Sequence, residues 1–140
     1  MVRMSGGAVP GLALGVLIAF GFAFVIRVLP EELFTETGPS AAFYALQVAA
    51  GPVFVIVLRR IARALRIDPQ ALLLWAVAGA LAFDGLVIGF WPSLYGQTGE
   101  ALTYAATTLL WAFAWILIAS LVMNGAPTTT GADEEGASAP

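Results

Sequence analysis

The side chain with the most chemical reach is Asp84, an acid seven positions before Trp91 inside a long apolar run. At about 1.5 Å of rise per helical residue it lies about 10 Å in from that end. Gln47, Thr107 and Thr108 fall at similar depths in two other apolar runs, Tyr44 and Tyr104 lie one turn nearer the surface, and Arg27 sits near the same end of a fourth. A carboxyl in that position can take up a proton or bind a cation or a small polar solute. It can also serve packing alone, accepting hydrogen bonds or staying protonated while Tyr, Gln and Thr groups tie helices together. The second reading is favoured, because one acid without another ionisable group at its depth makes a poor relay. Asp84 facing lipid would cost roughly 3 kcal/mol on insertion scales, so it is expected to face inward, with Tyr44, Gln47, Tyr104, Thr107 and Thr108 as candidate partners. Arg27 is the obvious ion-pair candidate, but snorkelling to Glu31, Glu32 or lipid phosphate is the preferred expectation.

The surrounding composition bounds the chemistry. The 140 residues are 60% hydrophobic and 11% charged, with no Cys and no His. Disulfides, thiol nucleophiles, histidine bases and the usual zinc sites are therefore absent. No metal or cofactor is expected. An intramembrane enzyme would need a second carboxylate beside Asp84, and Glu31, Glu32, Glu36 and Glu100 all lie in or next to turns. The expectation is a chain that is not an enzyme and has no catalytic residues.

Four apolar runs position these groups, with helices expected over 9–29, 40–58, 69–91 and 99–123. Each is long enough to cross a hydrocarbon core. The fold expected is all-α, a four-transmembrane-helix bundle over 1–125, followed by a disordered acidic tail over 126–140. The first run is read as a span rather than a signal peptide, since no small-residue cleavage site follows it. On it, Gly11, Gly15, Ala19 and Ala23 are four apart, the small-residue spacing that lets helices approach closely. Gly51-Pro52 should kink the second run. Thr37, Asp68 and Thr98 are expected N-caps, with Pro69 in the first turn of the third helix. Phe34, Phe90, Trp91 and Tyr95 suit one interfacial belt and Trp75 the other.

Arg59, Arg60, Arg63 and Arg66 lie between the second and third runs, and the turns at the other side carry no Lys or Arg. The positive-inside rule then places that loop and both termini in the cytoplasm of a multi-pass cell-membrane protein. The four arginines read as a short amphipathic extension at the membrane surface, touching anionic lipid headgroups. So few charges beside a bilayer do not suit nucleic acid.

The two turns opposite the arginines resemble one another. Val25-Ile26, Pro30, Leu33-Phe34 and Thr37-Gly38 match Val87-Ile88, Pro92, Leu94-Tyr95 and Thr98-Gly99. Two copies of one hairpin, related by a two-fold axis along the membrane normal, would account for this; chance alignment of apolar segments is the bland alternative.

The segment Asp84-Gly85, Trp91-Pro92 and Leu94-Tyr95-Gly96 resembles small four-helix multi-pass membrane proteins of uncharacterised prokaryotic families. That resemblance covers one helix and its turn; it implies a multi-pass membrane protein and brings no site residues. The functional expectation is a packing or interaction subunit, self-associating through Gly11/Gly15 or Gly85/Gly89 or joining another membrane protein. The alternative is a small proton- or solute-coupled transporter or channel using Asp84 and the polar cluster.

Overall fold

A computed structural model describes residues 7–125. The expected tail over 126–140 lies outside the described residues, as does Arg3. The described chain is all-α: α1 (Ala8–Val28), a one-turn α2 (Glu32–Thr35), α3 (Thr37–Leu65), α4 (Pro69–Phe90), a 3-10 turn (Pro92–Tyr95) and α5 (Gly99–Asn124). Helices α1, α3, α4 and α5 are each long and apolar enough to cross a membrane.

Neighbours in sequence are not the main neighbours in space. α1 packs along α4, and α3 packs along α5. Both pairs are parallel: Gly7, Gly11 and Gly15 meet Ala71, Trp75 and Ala76 in ascending order. The small-residue stripe drives the first pair. A methyl group added at Gly15 would sit 2.0 Å from the Ala76 carbonyl oxygen, and one at Gly79 would sit 2.5 Å from the Leu12 carbonyl oxygen. Backbone thus lies on backbone from both sides, the packing that small residues permit in lipid. Gly11 and Gly15 are therefore spent inside the chain, and the expectation that they join two copies is corrected.

The parallel pairing is what a two-fold along the normal would give, but the turns differ. α2 packs on α3 and α5, whereas the 3-10 turn packs on α1 and α4.

α3 departs most from expectation. It runs 29 residues without a break, through Pro52 and on past Arg59, Arg60 and Arg63. The arginines are thus the last turns of one helix, not a separate surface segment, because nothing interrupts the helix until Arg66 turns left-handed at φ 55°. There the Ile67 N–H bonds to the Ala62 carbonyl and the Arg66 N–H to that of Arg63, closing the helix end as a glycine usually does. Gly51, beside the proline, brings α3 onto α5: a methyl group there would lie 3.2 Å from the Trp115 carbonyl oxygen.

Asp68 caps α4 as expected, its carboxylate accepting from the Ala71 N–H at 2.7 Å with Pro69 following. Thr37 instead is the first residue of α3, with extended Glu36 before it, and Thr98 precedes α5 without a side-chain cap bond. At the opposite end of α1, Gln97 Nε2 donates to the carbonyls of Ile26 and Leu29 at 3.1 and 3.2 Å. It thereby satisfies the last turn of α1 from the far hairpin. Gln97→Ala is expected to lower unfolding stability by about 1 kcal/mol in thermal melts of the purified protein.

Candidate functional site

Among the described residues, two buried side-chain atoms lack a hydrogen-bond partner: Asp84 Oδ2 and Gln47 Oε1. They belong to different places in the bundle, each beside its own cavity.

Asp84 is 5% exposed. Its Oδ1 accepts from the hydroxyl of Tyr95 at 2.5 Å. Tyr95 is itself buried, carried inward by the 3-10 turn after Pro92. Gly96 follows at φ 68° and lies against Arg27, where a methyl group would come 2.7 Å from the Arg27 Cγ; a side chain there would be strained and crowded. Burial first, then the bond to Asp84 and its charge, hold the Tyr95 phenol above its ordinary value, so Tyr95 remains a donor. Asp84 also borders a cavity of about 320 Å³ between α4 and α5, lined among others by Gly85, Gly89, Ala106 and Leu110. A methyl group added at Gly85 or Gly89 would meet no atom of a neighbouring element within 4 Å. That face of α4 is open to the bilayer.

The second place gathers Tyr44, Gln47 and Thr108. The Thr108 hydroxyl donates to the Tyr104 carbonyl at 2.7 Å and lies 3.5 Å from the Tyr44 hydroxyl. Trp111 Nε1 donates to the Tyr44 carbonyl at 3.3 Å. Gln47 and Thr108 border a cavity of about 180 Å³ between α1, α3 and α5. Leu109 borders both cavities and stands between the two places.

The remaining candidates are elsewhere. Tyr104 is 44% exposed, and Thr107 is exposed with its hydroxyl on the Thr103 carbonyl at 2.9 Å. Arg27 donates to the Ser93 carbonyl at 3.3 Å rather than to Asp84. The seven polar residues therefore do not form one cluster. Asp84 has Tyr95 as its partner, and none of Tyr44, Gln47, Tyr104, Thr107 or Thr108. Depth counted along straight spans missed Tyr95 because a turn residue was assigned to the interface, while the turn folds back into the bundle. The available signal was a phenol one turn beyond a proline, close in chain to a buried acid.

At the arginine end, Arg59 is half-buried and donates to the Asn124 side chain. Asn124 Nδ2 donates to Gln70 Oε1 at 2.6 Å, and the Ser120 hydroxyl to the same oxygen at 3.1 Å. Arg63 Nε reaches the Arg59 carbonyl at 3.3 Å. Arg60, Arg63 and Arg66 are exposed. Arg59 thus ties α3 to α5, and of the four arginines expected at headgroups only the other three are exposed.

No family model, curated protein or solved structure matches this chain, so its geometry carries the functional reading.

Proposed function

We propose that this chain is a non-enzymatic membrane subunit that pairs with a second copy of itself through the α4 face bearing Gly85 and Gly89. The observation that carries this reading is the open Gly85/Gly89 face of α4. Small residues four apart are self-complementary across a two-fold, and the glycines of the α1–α4 seam, Gly11, Gly15 and Gly79, already touch the chain's own backbone. Asp84 lies behind that face, its Oδ2 enclosed by the chain's own atoms, so the glycines make the contact and the carboxyl does not. The arginine asymmetry supports a cell-membrane protein with both termini in the cytoplasm, and Arg60, Arg63 and Arg66 suit anionic headgroups.

Because the sequence holds no cysteine, single substitutions report pairing cleanly. Gly85→Cys and Gly89→Cys in native membranes are expected to give oxidised dimers, while Gly21→Cys on α1, equally open, is expected to stay monomeric. Monomer at all three positions, or equal crosslinking at Gly21→Cys, overturns the reading.

The cavity that Asp84 borders also favours a second reading, a proton- or solute-coupled carrier. The two part on Asp84→Asn: pairing through Gly85 and Gly89 does not use the carboxyl and survives, whereas proton-coupled flux into vesicles is lost.

A further inference from the structure

The cavity beside Gln47 has a different character from the one beside Asp84. It opens where α1 and α3 fail to pack along each other. The rings of Phe22 and Phe54 meet across that gap, centroids 5.9 Å apart, toward the arginine end. Phe43 and Leu29 stand on the side of the outer turns. The rim at Leu46 and Val25 is exposed to the bilayer. At about 180 Å³ the void is larger than the roughly 150 Å³ at which an apolar cavity already takes up benzene. Its lining has no charged side chain. Its polar side chains are Gln47, whose Oε1 has no donor, and Thr108, whose hydroxyl is committed to the Tyr104 carbonyl.

We infer that this cavity binds a neutral, single-chain lipophile with a hydroxyl head, reached sideways from the bilayer, its chain between Phe22, Phe43 and Phe54 and its hydroxyl donating to Gln47. An aliphatic or isoprenoid alcohol has this chemistry. A charged headgroup does not, since desolvating it here would go uncompensated. A plain hydrocarbon fills the space but leaves the Gln47 oxygen unpaired. The net value of one such hydrogen bond corresponds to about three- to tenfold in affinity. This inference is independent of pairing through α4.

The test uses the full chain in phosphatidylcholine vesicles and dodecanol carrying a diazirine, photolysed and mapped by peptide mass spectrometry. Label is expected on peptides covering 22–29, 43–54 and 108–116. Unlabelled dodecanol is expected to compete about three- to tenfold better than dodecane. Gln47→Leu, similar in volume, should bring the two competitors level, and Ala112→Leu, which fills the cavity, should remove the label. Label spread evenly over lipid-facing peptides, equal competition by dodecane in the wild-type chain, or an alcohol preference that survives Gln47→Leu overturns the inference. The wild-type competition decides by itself if a variant does not fold.

Discussion

Gly15→Ala is expected to lower the stability of the bundle by about 3 kcal/mol or more, measured by reversible unfolding in mixed micelles. The added methyl group would lie 2.0 Å from the Ala76 carbonyl oxygen and 2.9 Å from the Ala80 nitrogen. Both obstacles are backbone, so no rotamer change relieves them and α1 must move off α4. Overpacking of this kind ordinarily costs about 1–3 kcal/mol and exceeds that where the neighbour cannot yield. Gly21→Ala, on the same helix with nothing within 4 Å, is the matched control and is expected to be neutral or slightly stabilising, since alanine is the better helix former. Equal behaviour of the two variants would mean that α1 and α4 do not pack through Gly15.

Tyr95→Phe is expected to cost about 3 kcal/mol in the same assay. It deletes the donor to Asp84 Oδ1 and leaves a carboxyl with both oxygens unpartnered inside the bundle. An unmade bond costs far more than the bond itself contributes. The double variant Tyr95→Phe/Asp84→Leu is accordingly expected to be more stable than Tyr95→Phe alone, because apolar replacement of both partners removes the stranded group. The pH dependence follows from the same pair. The native state holds the Tyr95 proton to higher pH than the unfolded chain, whose phenol titrates near 10.0. The unfolded chain releases it first, so the contribution is complete below about pH 10 and is lost as pH rises beyond it. Above pH 10 the unfolding temperature of the wild-type chain is expected to fall more steeply than that of Tyr95→Phe; parallel curves would remove Tyr95 from the account.

What the residues disclosed in advance was one-dimensional. Apolar length marked the spans, Asp68-Pro69 marked the start of α4, and the insertion cost of an acid put Asp84 inside. Pairing was hidden, since Gly11 and Gly15 suit any helix that comes close, whether from this chain or another. The partner of Asp84 was hidden for a related reason. Tyr95 and Gln97 act across a turn whose return into the bundle depends on Gly96 seating against Arg27, a contact between segments far apart in sequence. The passage of α3 through Pro52 was legible, since the span expected over 40–58 contains it; its continuation past Arg59 and Arg60 was hidden, because charges there read equally as a helix end or as a separate surface segment.

The parallel pairing of α1 with α4 and α3 with α5 sets an order of events at birth. When the first two spans have left the ribosome they have almost nothing to pack on, and the glycine face of α1 meets lipid. Its partner is inserted third, and that of α3 last. The α1–α4 contact therefore forms only once the third span has been made, and the α3–α5 contact only with the fourth. A chain truncated before α4 should be a substrate for membrane proteolysis, whatever its later function.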